Sequence, residues 1–410
     1  MTASPVAHRA EVGCALECPI DRRRDMVLPS KHRPGAGAGR PAIAVAAGGT
    51  AGHAVLGLAV AGACRRQWPQ AEILFLGAEQ GAEGRLVASC GLPFLRLPAS
   101  PFQRQPLGGK LAAVVNAARS VAQARRLLRR HRVRLVVGAG GYVTVGPLLA
   151  ARSLGVATAI LEPNAVPGLA NRLLGRWADR IFLGFDATAR YFPAARLRVT
   201  GTPVRPEIDR AAAARRHRPP PAGRPRRVLI TAGSEGSSLI NDRLPPVLGR
   251  VGLPLEVRHQ VGEGDPQAVR RAYREAAIAA TVGRYFDDLP ASYRWADLAI
   301  SAAGASTLAE LALCALPAIL VPRSGVAEDH QRANARLFAE LAGVPWVDAG
   351  RWHDAELAAE IAALLSDSGR WRDAAVRLER LARPGAAARI AASCRRLVEG
   401  SGTGPGGRAT

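Results

Sequence analysis

The histidine with the clearest chemical context is His53, which ends a glycine-rich turn. The turn reads GGTAGH from Gly48 to His53 and follows an apolar run that predicts a buried strand. Such a turn lets backbone N–H groups approach an anion at the positive end of a helix. A histidine there has a lowered pKa and stays neutral near pH 7, which suits a general base that deprotonates a sugar hydroxyl. Alternatively, His53 only caps the helix or binds a ligand.

Similar turns follow other predicted strands, at residues 138–142 (GAGGY), 232–237 (AGSEGS) and 303–310 (AGASTLAE). A single glycine-rich turn can have a purely structural role, since any α/β protein uses glycine to make a tight turn. Several of them at the carboxyl ends of strands indicate a cleft in which a diphosphate is held from two sides. No turn reads GxxxxGK[ST], which disfavours a P-loop ATPase, and the first is not GxGxxG, which weakens nicotinamide-dependent hydride transfer.

Two polar groups lie further along the chain. Glu310 falls in the first turns of a predicted helix, where a carboxylate can accept both hydroxyls of a ribose or simply complement the helix dipole. The run AEDHQRANA, residues 327–335, gathers Asp329, His330, Gln331 and Asn334 after a predicted strand. These side chains can read sugar hydroxyls or cap the following helix.

These residues are carried by alternating short apolar runs and helical segments, which predict βαβ units and a parallel α/β sheet. A first series of strands is predicted at 43–47, 73–76, 135–137, 157–161, 180–183 and 197–199, and a second at 228–231, 255–260, 280–282, 298–301 and 318–321. The polar, proline-rich stretch 206–227 separates the series and is predicted to be a linker. The sequence thus predicts two Rossmann-like domains, residues 42–205 and 228–385.

The remaining segments lie at the chain ends. Residues 1–41 are predicted to be a disordered extension or a mis-assigned start, since residues 1–40 show no sustained periodicity and no secretory signal. Residues 386–410 are expected to form a helix that packs back on the first domain, followed by a tail.

Composition excludes several classes of protein. The 410 residues carry a net charge of +23, yet all but two of the 56 basic residues are arginine, which indicates genome bias spread over solvated faces. A content of 48% hydrophobic residues excludes wholesale disorder. Only 5% of the residues are aromatic, which disfavours the hypothesis that the protein binds nucleic acid. The six scattered cysteines lack metal-ligand spacing, so no metal is expected, and free thiols in a reducing cytosol are favoured.

Residues 101–131 combine apolar positions at helical spacing with arginines towards their end. This segment is predicted to form either an interfacial helix on anionic lipid or a core-facing helix with a basic outer face.

Seven blocks in order resemble the MurG family of glycosyltransferases, over roughly residues 42–395. The blocks are GGTAGH, GAGGYVTVGP, ILEPNAVPGLANR, VTGTPVR, ITAGSEGSSLIN, DDLPASYRWADLAISAAGASTLAE and EDHQRANA. The resemblance implies the two-domain GT-B fold with a central cleft. It also implies an inverting transfer of N-acetylglucosamine from UDP-GlcNAc to a polyprenyl-diphosphate-linked muramoylpentapeptide, without a cofactor, at the cytoplasmic face of an anionic inner membrane to which the enzyme binds peripherally.

The resemblance assigns roles to individual positions. His53 is implied to be the catalytic base, and the acceptor side to comprise Gly140, Gly141, Tyr142 and Glu162. The implied donor-binding residues are Thr50, Ala51, Gly52, Asn164, Arg205, Ser234, Phe286, Ala305, Ser306, Thr307, Leu308, Ala309, Glu310 and Gln331. Of these, Arg205 and Ser234 are implied to contact the diphosphate, Phe286 the uracil through its backbone, Glu310 the ribose and Gln331 the sugar.

Some ligand-facing positions differ from the family pattern, including Ala51, Pro163, Glu235, Ala302 and Ala303. They leave, as an alternative, a GT-B transferase with another lipid or aglycone acceptor. A non-enzymatic binder of nucleic acid or anionic lipid is the remaining alternative.

Overall fold

The computed structural model describes residues 41–79, 83–100, 107–212, 219–221, 223–323 and 329–400. The predicted extension over residues 1–40 lies outside the described residues, as does the end of the chain after residue 400. Within the described ranges the chain forms two α/β domains, each built on a parallel sheet.

The first sheet has seven parallel strands in the order β3-β2-β1-β4-β5-β6-β7. Its strands are β1 (Ala42–Ala46), β2 (Glu72–Ala78), β3 (Phe94–Leu97), β4 (Val133–Gly138), β5 (Ala157–Glu162), β6 (Arg180–Leu183) and β7 (Leu197–Val199). All five residues of β1 are buried, because alternate side chains enter cores on opposite faces of the sheet.

Helices cover both faces of this sheet. One core contains residues of α1 (Ala51–Gln67), α2 (Glu83–Ser89) and α14 (Ala386–Gly400). The other contains residues of α3 (Leu107–Arg130), α4 (Val145–Ser153) and α5 (Leu169–Leu174). The C-terminal helix therefore lies against the first domain, where Ile390 and Cys394 are fully buried.

The second sheet has five parallel strands in the order β10-β9-β8-β11-β12. They are β8 (Arg226–Thr231), β9 (Leu255–Gln260), β10 (Ala279–Gly283), β11 (Leu298–Ser301) and β12 (Ala318–Leu320). The surrounding helices are α6 (Pro206–Ala212), α7 (Ser238–Leu248), α8 (Pro266–Glu275), α9 (Leu289–Trp295), α10 (Ala305–Leu313), α11 (Asp329–Ala342), α12 (Asp354–Ser366) and α13 (Ser368–Leu381). The expected pair of Rossmann-like domains is confirmed.

Three features differ from the expectations. Strand β3 was not predicted, because FLRL is short and only Leu97 is fully buried. The predicted linker begins with a helix, α6. This helix is held in place by the apolar side chain of Ile208, which is buried in the core of the second domain. Among the cysteines of the described ranges, Cys64, Cys314 and Cys394 are buried and form no disulfide, whereas Cys90 is disulfide-bonded, contrary to the expectation of free thiols.

No helix in the described ranges is long and apolar enough to cross a membrane.

Candidate functional site

His53 lies at the start of α1, directly after β1. Thr50 is the N-cap, and its Oγ1 accepts a hydrogen bond from the His53 backbone N–H at 3.4 Å. The same oxygen lies 3.2 Å from His53 Nδ1. Thr50 therefore holds both the helix start and the imidazole ring, so capping and ring orientation occur together at this turn.

The second glycine-rich turn packs directly against the first. Gly140 and Gly141 have positive φ angles of 116° and 85°, and the Gly48 N–H donates to the Gly140 carbonyl. A Cβ on Gly140 would lie 2.5 Å from His53 Cδ2, and one on Gly141 would lie 1.8 Å from the Gly48 carbonyl oxygen. Only glycine allows this approach, which explains the residue type at two predicted acceptor-side positions.

The pKa of His53 is lowered, as expected, and burial is the main cause of the shift. The nearby Gly48 carbonyl and the Glu235 carboxylate raise this pKa, and His330 lowers it. Glu235 and His330 belong to the second domain. Side chains of both domains therefore influence the pKa of this imidazole.

Tyr142 and Glu83 complete the first-domain side. The Tyr142 ring packs against Gly49, where a Cβ would lie 2.8 Å from the ring. Burial and then the Glu83 charge raise the pKa of Tyr142. Glu83 is buried against Gly48 and accepts the Ala78 backbone N–H at 2.8 Å. Sequence reasoning missed Glu83, since nothing in its local pattern distinguishes it from an ordinary first-turn carboxylate.

Glu162 ends β5 and is turned into its own loop. Its carboxylate accepts hydrogen bonds from the backbone N–H and the side-chain amide of Asn164, from the Gly168 backbone N–H and from the Asn171 side chain, at 3.0–3.1 Å. Burial raises the pKa of Glu162, and these donors lower it in part. With both oxygens occupied, Glu162 holds the loop that carries Asn164.

Asn334 joins this loop to the second domain. Its Oδ1 accepts the Ala165 N–H at 2.8 Å, while its Nδ2 donates to Asn164 Oδ1 at 3.1 Å and to the Ala303 carbonyl at 3.2 Å. His330 Nδ1 lies 3.1 Å from the Val166 carbonyl. Asn334 is fully buried, so this residue of the predicted sugar-reading cluster fastens the domains together instead.

On the second-domain side, the turn after β8 faces the segment after β12. Ser234 is half-buried, and its carbonyl accepts the Tyr285 hydroxyl at 3.0 Å. Glu235 forms an ion pair with Arg323, whose backbone N–H donates to Gln331 Oε1 at 3.1 Å. The structure thus brings the Ser234 turn and Gln331 to one edge of the sheet.

Helix α10 presents an open N-terminus to the cleft. Gly304 is its N-cap and supplies no side-chain hydrogen bond, so the first-turn N–H groups remain suited to an anion. Ser306 and Thr307 are half-buried there, as is Ala309. Leu308 is fully buried in the domain core, so its side chain supports the helix.

Glu310 is buried on the same helix and is bonded on both oxygens. Arg205 Nη2 lies 3.2 Å from Oε1, and the Tyr293 hydroxyl donates to Oε2 at 2.8 Å. Although burial lowers the pKa of Arg205, the adjacent Glu310 charge raises it above its ordinary value. The Nε atom of Arg205 is buried and has no partner within the described ranges.

The Phe286 backbone N–H, expected to lie beside uracil, donates to Gln260 Oε1 at 3.2 Å. Gln260 ends β9 and is buried. No cluster of potential metal ligands is found among the residues the structure describes.

Comparison with protein families covers both domains. Residues 43–183 match the glycosyltransferase family 28 N-terminal domain, and residues 227–380 match the glycosyltransferase family 28 C-terminal domain.

Two curated relatives share one name, UDP-N-acetylglucosamine–N-acetylmuramyl-(pentapeptide) pyrophosphoryl-undecaprenol N-acetylglucosamine transferase. The protein of Alkalilimnicola ehrlichii is 39% identical over 361 residues, covering 86% of this chain and 98% of the relative. That of Methylococcus capsulatus is 37% identical over 353 residues, covering 86% of this chain and 97% of the relative.

Solved structures agree. The crystal structure of Acinetobacter baumannii MurG superposes with a TM-score of 0.71 at 28% identity, covering 87% of this chain and 99% of that chain. The glycotransferase of kitacinnamycin superposes with a TM-score of 0.65 at 16% identity, covering 88% and 99%, a likeness of fold alone. The expected GT-B fold is confirmed.

Proposed function

Because this chain belongs to the MurG family within glycosyltransferase family 28, we propose that it transfers N-acetylglucosamine from UDP-GlcNAc to the muramoyl sugar of undecaprenyl-diphospho-muramoylpentapeptide. The reaction converts lipid I to lipid II in peptidoglycan synthesis, with inversion at the anomeric carbon. The observation that supports the proposal is the packing of two glycine-rich turns around His53, in a chain that matches this family over both domains.

His53 is the catalytic base in this proposal. Its lowered pKa keeps the ring neutral near pH 7, and Thr50 orients it. The muramoyl hydroxyl passes its proton to the imidazole while its oxygen attacks the anomeric carbon. The bond between that carbon and the diphosphate oxygen breaks, and its electron pair leaves with UDP.

Fixed dipoles and one cation stabilise the departing diphosphate. The uncapped N-terminus of α10, over Ala305 to Thr307, offers N–H groups, and Ser234 lies on the neighbouring turn. Arg205, whose side chain is partly exposed, contributes its positive charge. Glu310 takes the ribose hydroxyls, the Phe286 backbone lies beside uracil, and Gln331 and Asn164 contact the sugar.

The first-domain turns complete the reaction centre. Thr50, Ala51 and Gly52 contact the donor beside His53, while Gly140, Gly141 and Tyr142 face the acceptor. Glu162 acts here by positioning Asn164, because its own oxygens are occupied.

The membrane-facing surface lies on the helices over one face of the first sheet. Two exposed valines, Val114 and Val115, lie on α3, and Leu169, Leu173 and Trp177 lie on and just after α5. Both helices pack on the same side of the sheet, with α4 between them. Exposed arginines beside these side chains suit an anionic inner membrane at its cytoplasmic face, where the enzyme is held peripherally.

The function is tested with purified full-length protein, UDP-GlcNAc and a polyprenyl-diphosphate-linked muramoylpentapeptide. We expect a disaccharide-linked product and release of UDP. Product with a diacylglycerol or an aglycone, but none with the muramoyl acceptor, would identify a different transferase. Steeply salt-dependent DNA binding without thermal stabilisation by UDP would contradict enzyme function.

The membrane surface is tested by co-sedimentation with phosphatidylglycerol vesicles. Leu173→Ser is expected to weaken binding, while Leu341→Ser is the control, since both leucines are 45% exposed but Leu341 lies in the second domain. Equal weakening by both variants would exclude this surface.

A further inference from the structure

Tyr293 is a fully buried tyrosine that the proposed chemistry does not use. It lies on α9, in the core beneath the donor side of the cleft, and its hydroxyl donates to Glu310 Oε2 at 2.8 Å. Burial and the adjacent Glu310 charge raise the pKa of Tyr293 well above its usual value, so the phenol remains a donor at any physiological pH.

Glu310 is held on two sides. Arg205 contacts Oε1 and Tyr293 contacts Oε2, so each carboxylate oxygen has one partner. Since an ionised carboxylate offers about four acceptor positions, two remain for other donors. The carboxylate plane, and with it the direction of the two remaining positions, is set by Arg205 and Tyr293 together.

We propose that Tyr293 is a positioning residue that orients Glu310 for the two adjacent hydroxyls of the nucleotide ribose. The proposal rests on the proposed function, in which Glu310 binds that ribose. Arg205 has a second task at the diphosphate, so its bond to Glu310 is open to exchange when the donor binds. Tyr293 has no access to ligand and keeps its bond, which makes it the permanent support of the carboxylate.

The test compares the affinities of UDP and 2′-deoxy-UDP by calorimetry. A site that hydrogen-bonds a hydroxyl rejects the analogue lacking it, so the wild-type protein is expected to prefer UDP by roughly tenfold or more. Tyr293→Phe is expected to reduce this preference by about threefold or more, because the carboxylate loses a charge-assisted bond. The KM for UDP-GlcNAc rises in this variant while kcat stays near the wild-type value.

Tyr273→Phe is the matched control. Tyr273 is equally buried in the second domain, but its hydroxyl is bonded to His259 at 3.0 Å rather than to the site. The Tyr273→Phe variant is expected to have lower thermal stability and an unchanged preference for UDP over 2′-deoxy-UDP. A full preference in Tyr293→Phe together with its loss in Glu310→Gln would overturn the positioning role. No preference in the wild-type protein would overturn both the ribose assignment and the role of Tyr293.

If Tyr293→Phe does not fold, fluorotyrosine-labelled wild-type protein provides a second measurement by ¹⁹F NMR. The chain has five tyrosines. The resonance that moves with Glu310→Gln is expected to move with UDP and less with 2′-deoxy-UDP. A resonance that responds to Glu310→Gln but is indifferent to both nucleotides would contradict the proposal.

Discussion

At the scale of single residues, the site depends on how closely two turns approach one imidazole. Thr50 orients His53, and the absence of a side chain at Gly140 leaves room for the ring. The same packing that shapes the turns half-buries the imidazole and lowers its pKa. Shape and basicity at this position therefore have one origin.

His53→Ala is expected to lower kcat by about a hundredfold or more, because a general base is lost, while UDP-GlcNAc affinity stays within about twofold. Steady-state kinetics and calorimetry measure the two quantities. In the wild-type enzyme, a lowered pKa places the acid limb of kcat/KM below pH 6.5. Glu310→Gln is the converse control, with weaker donor binding. Unchanged turnover in His53→Ala would refute the base assignment.

Gly140→Ala is expected to reduce turnover by at least tenfold, since the new Cβ would displace the His53 ring or the turn itself. Gly155→Ala is the matched control. Gly155 also has a positive φ angle, 68°, but a Cβ there meets nothing within 4 Å. It is expected to cost about 1 kcal/mol of stability with no change in kcat. Equal kinetic effects in both variants would show that backbone strain alone is responsible.

At the scale of elements, a buried polar cluster joins β9, α7 and α8. His259 Nδ1 lies 3.0 Å from the Tyr273 hydroxyl, and Nε2 lies 3.1 Å from Asn241 Oδ1. The imidazole is fully buried, and desolvation lowers the pKa of His259 to about 3. The native domain therefore holds this histidine in its neutral form.

The consequence is a loss of stability in acid. The native-state pKa lies below the unfolded value of 6.5, so the neutral form stabilises the domain fully above pH 6.5 and progressively less towards pH 3. When the pH falls from 7.5 to 5, protonation of this histidine in the unfolded chain is expected to lower the free energy of unfolding by about 2 kcal/mol. Urea denaturation of the wild-type protein and His259→Gln measures the difference.

His353→Gln is the control for that experiment, because His353 is exposed. It is expected to keep the wild-type pH dependence, whereas His259→Gln flattens it. Identical slopes in all three proteins would mean that other groups determine the acid sensitivity.

At the scale of the whole molecule, one buried amide connects the two domains. Asn334 bonds the Asn164 side chain, the Ala165 N–H and the Ala303 carbonyl, so the donor-side loop and the second domain share one fixed point. Buried polar groups that lose their partners cost free energy, so removal of this amide is expected to weaken the contact between the domains.

Asn334→Ala is expected to lower the free energy of unfolding by about 2–3 kcal/mol and to separate the unfolding of the two domains in calorimetry. Asn241→Ala is the matched control, since its bonds to His259 and the Val261 carbonyl stay within the second domain. That variant is expected to destabilise one transition only. The same calorimetric profile for both would argue against a coupling role for Asn334.

Much of the fold can be predicted from local sequence patterns. The bounds of β6, β7, β9 and β11 agree with the strands predicted from short apolar or alternating runs. The weakly buried strand β3 and the helix α6 in a polar segment left no such pattern. Similarly, His53 was identified from its turn, whereas Glu83 and Tyr293 carry no local signal.

The amino-acid order alone determines two parallel-sheet domains, the turns at their strand ends and the residue types within those turns, since these follow from side-chain periodicity and backbone freedom. Tertiary packing decides which polar groups already have hydrogen-bond partners within the protein. Glu162 is bonded within its own loop, Asn334 fastens the domains, and Glu310 is held by Arg205 and Tyr293. These partners are up to 170 residues apart. A hydrogen bond depends on distances of a few tenths of an ångström between such segments, and only the folded chain sets those distances.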